Sequence, residues 1–404
     1  MLIAVLSCST VFAEFSWTNE EYGYVLSAPF KKTSARIMAM GGAGIAVQNN
    51  ADALYMNPAS LGAKGLVFNI PNVAFTLYNI KDFNDMGLID SLIEDPESVL
   101  DSVGDMINSD LLDYGRNNLA KVDAGIGFKA GRFAFAVDTQ VNLNLYNSVG
   151  GFEYLNIIPQ VDVAFTTGFG WRFLRDEAIN FDVGVSLGLN LRAFTQAVSF
   201  ETFSDAMTGD SNFEDVLNGY VTALGWAMPL SIGFNANFPF GFTVSAVASN
   251  IQLINGGYNY KRTTFNAIED DPMGEIFSAI GADEFTAKSD MNLALGVGWA
   301  PDLGGWEWLA DPTVAIDFVD LIGLFDDFSL NSFLARLKMG AEIKLFKVLE
   351  LRGGLNGGYV SLGLGVDLFK VIHLEASYYW NEFGENLGDK DVDAFTIRAN
   401  IFWE

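Results

Sequence analysis

The feature that most constrains this chain is a period of two, sustained far longer than an ordinary strand requires. Between positions 133 and 146 one face reads Phe133, Phe135, Val137, Thr139, Val141, Leu143 and Leu145, and the other reads Ala134, Ala136, Asp138, Gln140, Asn142, Asn144 and Tyr146. Between 180 and 193 the apolar set is Phe181, Val183, Val185, Leu187, Leu189 and Leu191, opposite Asn180, Asp182, Gly184, Ser186, Gly188, Asn190 and Arg192. A strand in a soluble domain usually runs about five or six residues, whereas about 9 to 11 tilted residues cross a bilayer. Apolar faces of bilayer length, one after another, predict strands that meet lipid on one side and a polar interior on the other.

Fourteen such segments follow one another, near 66–80, 120–129, 132–147, 155–172, 179–199, 223–238, 242–254, 289–300, 310–320, 332–345, 349–356, 359–369, 371–382 and 393–403. The long connections, 81–119, 200–222, 255–288 and 383–392, all follow odd-numbered segments. The connections after even-numbered ones are mostly tight, as at Ala130-Gly131, Pro239-Phe240-Gly241 and Phe346-Lys347-Val348. Outer-membrane barrels have short periplasmic turns and long outer loops. The expected fold is therefore all-β: a 14-stranded antiparallel transmembrane barrel in the outer membrane of a diderm bacterium, with both termini periplasmic. A large soluble sandwich or a propeller accounts for the alternation but not for the loop asymmetry or the bilayer-length apolar faces.

Composition narrows the choice. The longest uncharged stretch, residues 216 to 260, is broken by Pro229 and Pro239, so no run approaches the roughly 18 to 20 apolar residues of a spanning helix. A formal charge of -27 argues against nucleic acid, which needs basic patches. The opening "MLIAVLSCSTVFA" reads as a signal peptide, residues 1–13, cleaved after Ala13. Cys8 lies within it in a loose resemblance to a lipoprotein cleavage box. Residues 82 to 113 hold ten carboxylates and no Lys or Arg, with Leu88, Leu92, Val99, Val103 and Ile107 at helical spacing. They are expected to form an amphipathic insert over the outer mouth.

Catalytic chemistry is sparse. His373 is the single histidine, and Ser377, four residues along an extended strand, lies about 13 Å away, too far to exchange a proton with it. Asp367 is a cross-strand partner for His373. Gly41, Gly42 and Gly44 lack the third glycine of a dinucleotide fingerprint and are followed by no Gly-Lys-Ser/Thr. No enzyme activity, cofactor or metal is expected.

About fifty residues precede the first strand, and Ile37, Met38, Met40, Ile45, Val47, Leu54 and Met56 within them need burial. A 14-stranded barrel has a lumen that water or protein must fill. The stretch "GGAGIAVQNNADALYMNPASLG" resembles the N-terminal hatch of the long-chain fatty acid transporters of the outer membrane (FadL-like), in which a glycine-rich segment, an aspartate and an Asn-Pro-Ala motif precede the barrel. It also resembles the PorV and PorQ type of barrel and spirochaete members of the same superfamily. The likeness is sharp over residues 35 to 62 and architectural elsewhere. It carries Gly41, Gly42, Gly44, Asp52, Asn57, Pro58 and Ala59 as hatch motif, and it implies a hatch over 14–64, a barrel over 65–404, and passive uptake of a hydrophobic molecule with lateral exit through a kinked strand. The third segment has neither Pro nor internal Gly; Pro71, Pro159 and Pro229 are better candidates for interrupted pairing.

Two functions remain open: a monomer that transports fatty acids or similar amphiphiles, in contact with outer-membrane lipid, and a plugged scaffold that works through a protein partner. A greasy pocket with one or two cations favours the first and a solidly packed lumen the second. For a carboxylate ligand the candidate donors are Arg36, Arg192, Arg336, Lys338 and Arg398, with Met38, Met40 and Met56 suited to a tail of variable shape. Each cation has a second reading as the partner of a luminal carboxylate. Register is also expected: a turn centred on Lys347 sets Glu342 opposite Arg352 and Lys344 opposite Glu350, and the last segment pairs with the first.

Overall fold

The computed structural model describes residues 20–47, 52–63, 65–85, 113–150, 152–175, 179–208, 213–218, 220–282, 284–369, 371–384 and 387–403. The expected signal peptide and most of the acidic insert lie outside them; the short helix Ile80–Asp85 opens that loop.

One antiparallel sheet closes on itself in fourteen passes. The first five are single strands: β1 (Gly65–Tyr78), β2 (Gly115–Gly131), β3 (Phe133–Asn147), β4 (Leu155–Arg175) and β5 (Asn180–Thr195). A two-residue strand, β6 (Val198–Ser199), follows. The next three passes are each built from two strands: β7 (Val221–Ala227) with β8 (Pro229–Asn237), β9 (Phe242–Gln252) with β10 (Gly257–Thr264), and β11 (Phe285–Lys288) with β12 (Asn292–Trp299). The rest are β13 (Ala310–Phe318), β14 (Leu337–Leu345), β15 (Leu349–Asn356), β16 (Tyr359–Leu368), β17 (Ile372–Glu382) and β18 (Asp391–Trp403). Closure is the ladder between β1 and β18, where Ala74 faces Arg398 and Thr76 faces Thr396. No described helix is long and apolar enough to cross a membrane.

Inside and outside follow the sequence parity. Val141, Val161, Val185, Ile316, Leu364 and Ile397 are exposed on the outer surface, while Asp138, Asp162, Asp182, Asn235, Asp317 and Arg398 are buried. An exposed aliphatic face backed by buried polar groups is the reverse of a soluble protein, and it identifies the outer surface as the lipid contact of an outer-membrane barrel. Glu342 faces Arg352 and Lys344 faces Glu350, because a three-residue turn centred on Lys347, with Phe346 and Lys347 at positive φ, joins Leu345 to Leu349. Phe240 and Phe369, 85% and 91% exposed, tip two periplasmic turns, where interfacial aromatics belong.

Five boundaries differ from the alternation. β2 begins at Gly115, ahead of the expected 120. The seventh and eighth passes continue through β10 and β11 into what reads as loop, because Tyr258 and Tyr260 put buried aromatics where polar inward residues are expected. The tenth pass starts at Leu337; residues 330–336 are helical, with the Ser329 side chain accepting from the Ser332 amide at the N-cap. The fifth pass stops at Thr195. The expected interruptions at proline are present: pairing shifts between Asn69 and Asn72 around Pro71, and the sixth pass breaks before Pro229. β3 pairs with β4 continuously from Phe133 to Asn147.

Five helices matter below: α1 (Glu20–Ser27), α2 (Ala35–Ala39) and α3 (Ala53–Met56) before the barrel, and α4 (Leu321–Asp326) and α5 (Leu330–Arg336) at the outer rim between β13 and β14. After α3, Pro58–Gly62 forms a 3-10 turn.

Candidate functional site: the filled interior

Residues 20 to 47 and 52 to 63 pack against inward-facing positions on strands all round the barrel. The Asn57-Pro58-Ala59 turn lies on β5 and β8, where the wall offers glycine. A Cβ on Gly184 would fall 2.0 Å from the Pro58 carbonyl oxygen, and one on Gly233 2.0 Å from Asn57 Oδ1. Backbone meets backbone there, which only glycine permits. Asn57 spends its whole side-chain amide on this seat: Nδ2 donates to the Ile45 carbonyl (2.9 Å) and to Asn235 Oδ1 (2.6 Å), and Oδ1 accepts from the Ala59 amide (3.0 Å). On the opposite wall Gly41, at φ +66, lies against β15, and a Cβ on Gly354 would fall 2.4 Å from the Gly41 nitrogen. Between these seats Asp317 of β13 accepts from the amides of Gly44 (2.6 Å) and Ile45 (2.8 Å).

Charge ties the same segment to the wall. Arg36 holds Glu342 through two contacts (2.9 and 2.6 Å), and Arg352 also reaches Glu342 at 2.5 Å. Arg352 continues to Glu350 and, at 2.9 Å, to Glu375. His373 binds Asp367, with Nε2 3.1 Å from Glu375. Arg398 grips Asp52 with two bonds of 2.8 Å and takes Asn72 and Ser34 as further partners. Burial pushes the Asp52 carboxyl up, but Arg398, Lys32 and Ser34 outweigh it and hold the group below the usual carboxylate range. Glu350, His373 and Glu375 have the spacing of a metal-ligand group, but the Arg352 guanidinium already stands among them and balances their charge.

Toward the outer mouth α1 seats Tyr22, Val25 and Leu26 among Ile158, Phe194, Ala223, Tyr258 and Tyr260. Arg192 pairs with Asp162 at 2.6 Å, donates to the Val25 carbonyl at 2.7 Å, and stacks on the Tyr258 ring. Next to Pro159 the ladder between β4 and β5 stops at Gln160, resuming only in the two pairs to β6. In that notch the amide of Ala197 donates to the Tyr22 hydroxyl at 3.0 Å, so α1 completes the wall. Tyr22→Phe is expected to strand this amide and destabilise the seating of α1 by about 1–3 kcal/mol, the cost of an unsatisfied buried donor. Proteolysis of the N-terminal segment under native conditions measures it; cleavage no faster than in wild type would rule the contact out as a support.

The five candidate cations do not converge. Arg36, Arg192 and Arg398 are each paired to a carboxylate inside the barrel. Arg336 ends α5 at the rim, paired with Asp320, and Lys338 donates to the Ala335 carbonyl and to Asn356. The three methionines also separate: Met40 packs with Ala43, Val47 and Ala315, Met38 beside Tyr78 and Tyr379, and Met56 beside Ile45, Val247 and Ala294. Lys32, which the sequence did not single out, pairs with buried Asp138 at 2.9 Å; inward parity marked Asp138 as polar but could not name its partner. A void of about 10 Å³ lies between α1 and the wall near Asn144 and Phe383, room for about one water. A depression of about 240 Å³ lined by Val314, Ile316, Met339 and Leu355 opens on the lipid side.

No protein-family profile and no curated protein matches the sequence. Solved structures of similar outline include the "P. putida toluene transporter TodX", at 9% identity and a TM-score of 0.42 over 93% of this chain and 98% of that one. They also include a "Pseudomonas aeruginosa FadL homologue", at 10% identity and 0.40 over 93% and 99%, and the "CymD monoaromatic hydrocarbon channel", at 9% identity and 0.44 over 91% and 96%. Likenesses this low in identity and superposition leave function to be read from the chain's own residues.

Proposed function

We propose that the chain is a monomeric outer-membrane transporter of hydrophobic or amphiphilic small molecules, such as long-chain fatty acids, drawn here with its hatch closed. The supporting observation is how residues 20 to 63 are held. Their seats are glycine-lined backbone contacts, small groups of hydrogen bonds and ion pairs, and separate small apolar clusters, with a typical hydrogen bond worth about 0.5–1.5 kcal/mol net. A plug fastened in this way can leave the wall without unfolding the barrel. Withdrawal of α1 would also empty the notch beside Pro159, which makes that notch the lateral exit in this reading. Arg36 and Arg398, each paired across the boundary between hatch and wall, would become available to a ligand carboxylate as the hatch shifts, and Arg192 would exchange the Val25 carbonyl for the ligand while keeping Asp162.

One observation favours the second reading, a plugged scaffold acting through a protein partner: the described lumen is packed. The two are separated by uptake of fatty acid into liposomes by wild type, by Asn57→Ala and by a deletion of residues 37 to 60. The transporter reading expects both variants to assemble and to change the flux, upward where the plug is loosened. Assembled variants with unchanged hydrophobic flux, and no lipid co-purifying with wild type, would favour the scaffold.

A further inference from the structure

The barrel wall is uneven. β2 to β5 run from 15 to 21 residues, whereas β13 and β14 have nine each. At about 3.3 Å per residue and a tilt near 40–45°, nine residues rise roughly 21 to 23 Å, at the lower limit of the roughly 9 to 11 tilted residues that cross a bilayer, and the neighbouring β15 and β16 are of similar length, with eight and ten. Where the wall ends, at Phe318 and Leu337, the chain forms α4 and α5. These helices are apolar on the side away from the barrel: Phe325, Phe328 and Leu330 are 78%, 82% and 72% exposed, more than the lipid-facing Val314 and Ile316 below them. Their other side faces the protein, with Leu324 buried and Arg336 bonded to the Asp320 carboxylate and carbonyl. The apolar side also continues the wall without a break. The Phe333 ring lies 4.9 Å, centroid to centroid, from Phe318, and Phe318 is the last outward residue of β13, opposite Leu295 and Leu337.

We propose that α4 and α5 are embedded in the outer leaflet, with Phe325, Phe328, Leu330 and Phe333 among lipid acyl chains, and that they extend the apolar surface above a stretch of wall that only just spans the bilayer. The occupant of this face is lipid because the face continues the lipid-facing surface and meets it at the depth where that surface runs out. Hydrophobic mismatch drives the insertion: a short wall either thins the bilayer or is lengthened by apolar residues at its rim. Of the acidic groups whose side chains are described nearby, Asp320 is turned to Arg336, and Asp327, in the exposed link between the helices, accepts from the Ser329 hydroxyl.

The test is spin-label depth measurement on full-length barrels in phospholipid vesicles. Cys8, the sole cysteine, is replaced by serine, and single labels are placed at Phe325→Cys and Phe328→Cys. Ile316→Cys serves as the lipid-facing control and exposed Glu269→Cys as the aqueous one. Labels at 325 and 328 are expected to match the Ile316 control, with oxygen collisions raised and collisions with a water-soluble nickel chelate lost. Accessibility to nickel equal to that at 269 would overturn the proposal. Protection from both reagents would overturn it equally, by showing that protein covers these helices. Removing the lipid distinguishes insertion from local folding: transfer into an amphipathic polymer that leaves barrel migration unchanged should alter the 325 and 328 signals, and constant signals would count against lipid contact.

Discussion

A valine at position 184 is expected to unseat the Asn57-Pro58-Ala59 turn while the barrel still assembles. The reason is the geometry of the seat. A Cβ on Gly184 lies 2.0 Å from the Pro58 carbonyl oxygen and 2.4 Å from the Ala59 nitrogen, so no flexible side chain is available to give way. Overpacking of an adaptable core costs about 1–3 kcal/mol; here the obstacle is backbone on both sides, and the segment that is not part of the closed ladder must move. Gly354→Val should do the same on the opposite wall, against Gly41. Both variants should keep the slow, heat-sensitive gel migration of a folded barrel, expose residues 37 to 60 to protease, and raise conductance in planar bilayers severalfold. Closed, protease-resistant barrels carrying either valine would show that the segment is not held where the structure puts it.

Arg398→Leu is expected to be the most destabilising single change in the interior, at about 3–5 kcal/mol, because it leaves Asp52 buried without the partner that neutralises it. Asp52→Asn should cost less, since Arg398 retains Glu375 at 3.6 Å and its bond to Asn72. The double variant should recover part of the loss, as a coupled pair does in a mutant cycle. The pH dependence has a definite sign. The Asp52 carboxyl is depressed in the folded chain, so its contribution is present above its unfolded value, near pH 4, and fades as pH falls below it toward the folded value. Urea unfolding of the four proteins at neutral pH, and of wild type at acid pH, measures both effects. Additive single-variant losses would mean that the pair contributes nothing as a pair.

The wall was largely legible from residue order because two local rules repeat along it. Parity places Arg398 inside and Ile397 outside without knowledge of the neighbouring strand, and the Glu342, Lys344, Glu350 and Arg352 charges agree on a single register. Legibility failed where a residue broke its own pattern for a distant reason. Tyr258 and Tyr260 are inward aromatics because α1 is packed against them, and α1 lies more than two hundred residues away. Phe333, Ala335 and Leu337 carry an alternation compatible with a strand, and only the Ser329 cap signals the helix. The contacts of the interior were the least legible of all. Asp52 and Arg398 meet across 346 residues of chain, and nothing in either neighbourhood distinguishes that pairing from one with Asp138 or Glu375. The same holds for the glycines: Gly184 and Gly354 are unremarkable small residues in their strands, and their role exists only once the segment lies on them.

The central claim is that the N-terminal segment must leave its seat for a hydrophobic molecule to pass. A reversible tether tests it most directly. A Cβ on Gly296 of β12 would lie 3.4 Å from the Ala46 Cβ, with the end of the Asp317 side chain rather than backbone as its nearest neighbour, close to the roughly 3.5–4.5 Å that a disulfide needs. In a Cys8→Ser background, Ala46→Cys with Gly296→Cys should therefore cross-link the segment to the wall on oxidation. Fatty-acid flux into liposomes is then followed before oxidation, after it, and after reduction. The account predicts flux that falls to the protein-free rate when the tether forms and returns when it is reduced, with each single-cysteine variant indifferent to both treatments. Flux that continues unchanged through a fully formed tether would contradict it.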